Sequence, residues 1–390
     1  MVPRRRRLRS GFISICLVAA SLMATPLLIA QEQDRAQMRL NAMALEQKGQ
    51  NAEAEEIWGA IAKADPRDAE ALAHLGLLEA RQEHYVTAID DYRRAAAINA
   101  NLPGLQMNLG LALFKVGQFP NAIKAFTTEI KRRPGDLRLT ILLGMAHFGM
   151  KDYLVAIPYL QRATERDPQN LTLRMTLAQS CLWSKQYKCV VKVQQQIRAL
   201  KAESAPIDIL AGEALDQMEQ TAAALAELRA AVNANPKEPN VHFGLGYLLW
   251  TQGKWEEAAN EFDLELQNDP QHLQARIYLA DSWVERNDFA KALPELENLE
   301  ARDKSNPLVH RDLGIIYANA GKSDDAVREL MLAMDADPGD AELHLQAAKL
   351  YRSLGRADQA NAETDTAKRL PPPHHPSLQE MLDSIETPAP

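Results

Sequence analysis

Small and bulky apolar residues recur along this chain in columns 34 positions apart. Pro66, Pro134, Pro168, Pro236, Pro270, Pro338 and Pro372 are separated by 34 or 68 residues. With each proline at position 32 of a 34-residue frame, ten units tile residues 35–374 without insertion or deletion, starting at 35, 69, 103, 137, 171, 205, 239, 273, 307 and 341. Position 8 is always small: Ala42, Gly76, Gly110, Gly144, Ala178, Gly212, Gly246, Ala280, Gly314 and Ala348. Position 20 is alanine in nine units, from Ala54 to Ala360, with Val190 the exception. Position 24 is bulky and apolar in eight: Trp58, Tyr92, Phe126, Leu160, Leu228, Phe262, Leu296 and Leu330. The apolar total leans on alanine and leucine, so this pattern predicts helices and not strands.

At these residues the chain resembles the tetratricopeptide repeat family, whose 34-residue helix–turn–helix unit carries the same small, aromatic and proline columns. The resemblance spans nearly everything after the first thirty residues. It implies an all-α protein, a right-handed α-solenoid of about twenty repeat helices stabilised by neighbour-on-neighbour stacking. Each column has a physical reason. Small residues at positions 8 and 20 let two antiparallel helices approach, and position 24 fills the next gap. Proline at 32 stops the second helix. Gly117, Gly253, Gly321 and Gly355 at position 15 suit the inter-helix turn, where positive φ is useful. Unit five departs from the pattern with Val190, Gln194 and Ala202, which predicts looseness or a change of pitch over 181–206. Pro158 and Pro294 predict mild kinks. After the solenoid (31–374), residues 375–390 predict a short amphipathic capping helix beginning at Ser377, then a frayed tail.

The first thirty residues follow another logic. Arg4, Arg5, Arg6, Arg7 and Arg9 precede a charge-free run from Gly11 to Ala30, the order of a secretory signal peptide with cleavage expected before Gln31. The alternative is an uncleaved anchor, since twenty apolar residues can just span a bilayer. Either way the remainder is expected outside the inner membrane, in a periplasm or secreted. Cleavage takes away five arginines and no acid: 44 basic residues become 39 against 52 acidic, and the net charge moves from −8 to −13. That balance argues against nucleic acid as a partner.

Composition excludes several chemistries. Charged residues at 25% with mean hydropathy −0.32 exclude a polytopic membrane protein and a disordered chain. Three cysteines cannot build a disulfide framework. Cys181 and Cys189, at positions 11 and 19 of unit five, lie on opposite arms of one hairpin; either a bridge or two buried thiols fits. No zinc-protease helix, nucleophile elbow or phosphate loop is present, and no cofactor or metal is expected. His310 and His344 share position 4 of adjacent units, which suits ordinary packing better than a shared metal.

In the family, positions 2, 5, 9 and 12 of the first helices face a concave groove. Carried onto this chain, that geometry predicts an apolar lining of Leu77, Met107, Leu111, Phe114, Ile141, Met145, Phe148, Met175 and Leu182. Trp183 stands beside them, and unit seven adds Phe243, Tyr247 and Trp250. Burial between neighbouring helices is the alternative. The family's carboxylate clamp is absent, because Ala73, Leu77, Met107 and Leu111 occupy its positions. Glu213, Asp216, Asp281, Glu285, Arg311, Lys349 and Arg352 offer a polar second half, where a solvated face is the default. The expected function is a non-enzymatic scaffold in a bacterial envelope, holding an apolar helix or extended segment, for envelope biogenesis, secretion or pilus assembly. The alternatives are a membrane-tethered assembly factor and, more distantly, a groove-based receptor or enzyme.

Overall fold

A computed structural model describes residues 32–202, 204–371 and 375–386. The signal or anchor segment expected over 1–30 and the frayed end expected at 387–390 lie outside these residues. Everything regular among the described residues is helical, and none of these helices is long and apolar enough to cross a membrane. Two compact units divide at Asp167 and Pro168. The first holds α1 (32–47), α2 (Asn51–Ala64), α3 (Ala69–Arg81), α4 (Tyr85–Ile98), α5 (Leu105–Lys115), α6 (Phe119–Arg132), α7 (Leu137–Gly149) and α8 (Tyr153–Arg166). The second continues with α9 (Leu171–Trp183), α10 (Tyr187–Ala199), α11 (Ala205–Asp216), α12 (Thr221–Ala234), α13 (Val241–Thr251), α14 (Trp255–Asn268), α15 (Leu273–Glu285) and α16 (Phe289–Arg302). It ends with α17 (Pro307–Asn319), α18 (Ser323–Ala336), α19 (Ala341–Ser353), α20 (Ala357–Ala367) and α21 (Leu378–Glu386).

The helix boundaries follow local chemistry at fixed frame positions. Position 34 supplies the N-cap of the next first helix. Asp68, Asp136, Asn170, Asn306 and Asp340 accept backbone N–H bonds there through side-chain oxygens, and His272 does so through Nδ1. Leu102 and Glu238 occupy that position at the ends of units two and six, and α5 and α13 start later, after Gly104 and Asn240. The buried Glu265 carboxylate of α14 then accepts the N–H groups of Asn240, His242 and Phe243 at 3.0–3.2 Å. Position 15 closes every inter-helix turn with positive φ. Gly49, Gly117, Gly253, Gly321 and Gly355 adopt it at little cost, but so do Glu83, Lys151, Lys185, Glu219 and Asn287. Helices α8 and α16 run uninterrupted through Pro158 and Pro294.

Within a hairpin, position 8 lies directly beneath position 24. A Cβ on Gly110 would stand 2.5 Å from the Phe126 ring, on Gly246 2.8 Å from Phe262, and on Gly76 2.9 Å from Tyr92. Trp58, Tyr92, Phe126 and Phe262 are fully buried in this way. First helices of neighbouring hairpins also touch each other, α3 with α5 and α9 through α17 in succession, more than the second helices do. The first helices therefore form the inner layer of each unit.

The apolar residue missing at position 24 of unit five is replaced by polar contacts. Gln194 is buried, and its Nε2 donates to Asp208 Oδ1 (3.0 Å) and Glu227 Oε2 (2.8 Å), while Arg198 donates to the same two carboxylates. A charged hydrogen-bonded knot takes the place of the apolar plug. Cys181 and Cys189 carry a disulfide between α9 and α10, with Cα atoms 5.8 Å apart. The C-terminal helix, expected as a cap, folds back against α11 and α13, over a hundred residues earlier in the chain.

Two substitutions test this packing. Gly110→Ala should destabilise the chain by ~1–3 kcal/mol in urea unfolding, because its methyl meets Phe126. At an exposed helical site the same change would stabilise by ~1 kcal/mol. Lys151→Gly should stabilise by about 1 kcal/mol, since it relieves a left-handed residue without touching a contact.

Candidate functional site

The inner layer of first helices carries the residues expected in the groove, and its two units treat them differently. In the first unit Leu77, Leu111, Phe114, Ile141, Met145 and Phe148 are half-buried along α3, α5 and α7. Met107 is instead 7% exposed and belongs to the core, because α5 packs it into the cluster around Phe126 and Leu143. Phe114 meets Phe119 edge-on at 5.4 Å, and Phe148 meets Tyr153 at 5.6 Å. Both rings are held by contacts within their own hairpins and are half-buried.

In the second unit the corresponding positions are covered. Phe243, Tyr247 and Trp250 on α13 are at most 5% exposed. They were expected as an open lining, and the cover over them is α21. Leu378, Met381 and Leu382 of that helix enter the cluster formed by Phe243, Tyr247, Trp250, Tyr278 and Ile209. Tyr247 donates its hydroxyl to the Pro376 carbonyl, and Tyr278 donates to Met381 Sδ at 3.7 Å. The His375 ring meets Trp250 at 4.7 Å. Leu378 N–H points to Asp216 Oδ2 at 3.5 Å. Burial beneath the helix pushes the Asp216 carboxyl up, with that N–H opposing, and burial likewise pushes the Tyr247 and Tyr278 hydroxyls up.

Beside Leu382 the covered groove opens into a cavity of about 220 Å³, where Met175, Trp183, Leu210 and Glu213 gather. Leu182 lines it too, although it is only 1% exposed.

On the other side of α13 the wall is ionic. Trp250 Nε1 donates to Asp281, which also pairs with Arg311; Arg311 in turn donates to Asp312 at 2.8 Å. Asp281 and Asp312 have no exposed surface. Burial pushes the Asp312 carboxyl well up, against the pull of Arg311, and it pushes Glu285 up as well, reinforced by Asp281. Burial would lower the Arg311 guanidinium, but Asp312 and Asp281 together hold it above its ordinary value. Glu285 and Lys349 line a further cavity of about 560 Å³ with Gln346 and Leu345. Of the expected polar half, Asp281 and Arg311 are thus spent on each other, and Arg352 donates to Thr364 at 2.6 Å.

The position-4 histidines pair within their own units. His242, His310 and His344 bind Glu261, Glu329 and Glu363 through Nδ1 at 2.6, 2.8 and 2.7 Å, each pair spanning positions 4 and 23. Glu300 joins His310 and Glu329 closely enough to suggest a metal. Both His310 nitrogens already have partners, however, Glu329 and the Lys304 carbonyl, so the group is a structural tie. The caps at position 34, the pairs at 4 and 23, and the folded-back helix were missed by the sequence reading. The first two had a signal, as columns of Asp or Asn and of His followed nineteen residues later by Glu. The third had none, because a helix's distant partner leaves no trace in a local period.

Known proteins resemble this chain as follows. The model of the tetratricopeptide repeat family matches residues 39–103, 107–180, 209–272 and 279–341, leaving out the 181–208 stretch that holds the disulfide together with Gln194, Arg198 and Asp208. The BBSome complex member BBS4 of Bos taurus is 21% identical over 281 residues, 72% of this chain and 54% of that protein. Cellulose synthase operon protein C of Xanthomonas axonopodis pv. citri is 24% identical over 317 residues, 79% of this chain and 18% of that protein. The chain thus spans about half, or less, of the length of these relatives. Among solved structures, MamA residues 41-end from Desulfovibrio magneticus RS-1 aligns at 19% identity with a TM-score of 0.37, covering 43% of this chain and 97% of that one. With family matches over more than half of its length, and with each match falling on the hairpins described above, the chain belongs to the tetratricopeptide repeat family.

Proposed function

We propose that this protein is a non-enzymatic protein-binding scaffold of a bacterial envelope, whose inner layer of first helices receives an apolar helix from a partner. The observation that carries this reading is α21, an amphipathic helix seated on that layer against Phe243, Tyr247 and Tyr278. A surface that accepts one helix by burying three apolar side chains has the chemistry to accept another. The half-buried stripe of the first unit, from Leu77 to Phe148, offers the same chemistry without a helix of this chain upon it among the described residues. Two features support an exported location: the basic head followed by the charge-free run to Ala30, and the Cys181–Cys189 bridge, which persists in oxidising compartments. Envelope biogenesis, secretion and pilus assembly all need such a holder, and one relative is by name a member of a multiprotein complex.

The test is capture from envelope extract with the wild type and with Phe114→Ala plus Phe148→Ala. The double variant should keep its helical circular dichroism and lose at least one partner. The same partners at the same yield, with stability unchanged, would contradict the reading. The mass of the exported chain tests the location, with a start near Gln31 expected.

A further inference from the structure

The helix folded back onto the second unit has the features of a ligand more than of a core element. It is nine residues long, too short to be stable alone in water, so it depends on the surface beneath it. It brings its own start signal: Ser377 Oγ accepts from Glu380 N–H at 3.2 Å, and Glu380 Oε2 accepts from Ser377 N–H at 2.8 Å. Three side chains anchor it, Leu378, Met381 and Leu382, spaced i, i+3 and i+4 on one face. One carbonyl ahead of it, that of Pro376, takes the Tyr247 hydroxyl. The wall it covers is built by other means, through Gly246 under Phe262, the Glu265 cap on α13 and the Trp250–Asp281–Arg311 chain. None of these needs α21. The cavity beyond Leu382, with Met175, Trp183 and Leu210, shows that the groove is longer than its occupant fills.

We propose that residues 375–386 are an exchangeable internal occupant of the α11–α13–α15 groove, displaced by a partner helix of the same chemistry. That partner carries apolar residues at i, i+3 and i+4 behind a free backbone carbonyl, and continues for another turn whose apolar side chain fills the cavity at Met175 and Trp183. This inference rests on the scaffold reading above but concerns a different surface. The tail keeps an aromatic groove covered until a longer helix outcompetes it. The tail also has a high effective concentration, which sets a threshold that a weak or short helix does not pass.

The experiment uses the full chain and a fluorescent synthetic peptide of residues 375–386. In Leu378→Glu plus Leu382→Glu the tail is released while the wall is untouched. The released variant should bind the peptide at least tenfold more tightly than the wild type does, and adding Tyr247→Ala should abolish the gain. Met381→Ala should fall between. Equal affinity of wild type and released variant would overturn the proposal. So would a loss of helical circular dichroism larger than the nine residues of α21 account for, because α21 would then be holding up the rest of the unit. A wild-type dimer in which the tail of one copy cross-links to α13 of the other would also overturn it, giving the groove to a second copy. These substitutions leave Phe114 and Phe148 alone. Failure here with loss of partners in the Phe114 and Phe148 variant would leave the scaffold reading standing, and the reverse pair of results would leave only the occupant.

Discussion

The contact between position 8 and position 24 sets the spacing on which the rest of this structure depends. Six glycines, from Gly76 to Gly314, lie under a tyrosine, a phenylalanine or a leucine, where an added methyl carbon would stand only 2.5–3.0 Å from that side chain. This contact fixes how near the two helices of a hairpin lie, and so where the next hairpin can stack. The inner layer of first helices follows from it, and so does the surface on which α21 sits. The low aromatic content of 6% has the same origin, since one large ring per hairpin suffices when glycine and alanine surround it.

Electrostatics adapt the array locally. The His–Glu tie between positions 4 and 23 recurs in units seven, nine and ten, and Arg276 with Glu295 replaces it in unit eight. Unit six breaks the rule by placing Asp208 opposite Glu227. The remedy comes from unit five, whose Arg198 and Gln194 bridge the two carboxylates. Gln194 and Asp208 are buried and bonded to each other, so the departures at 194 and 208 support one another. This accounts for the family pattern lapsing there while the helices persist.

The helical hairpins, their turns and their packing columns were legible because they arise from neighbours within 34 residues. Position 15 shows how legibility ends: glycine marks the turn in five units, but Glu83 and Lys151 take the same φ with nothing in their chemistry to announce it. Likewise Phe114 and Phe148 lie half-buried on the first helices, where the pattern placed them, while Tyr247 and Trp250 are buried. Those two are inner-layer residues as expected, but the chain itself covers them. The short helix after Ser377 was visible as an amphipathic stripe with a serine at its start, which the structure completes with a reciprocal Ser377–Glu380 pair. Its destination was not, because its anchors lie more than a hundred residues away and match only in three dimensions.

The account turns on that destination. Hydrogen–deuterium exchange of the full chain, followed by mass spectrometry of peptides covering 375–386 and 241–250, tests it most directly. The account predicts that amides of 378–386 exchange far more slowly than in the free peptide. It also predicts that an excess of unlabelled 375–386 peptide accelerates them, while 241–250 stays protected. Exchange of 378–386 at the free-peptide rate in the intact protein would contradict it.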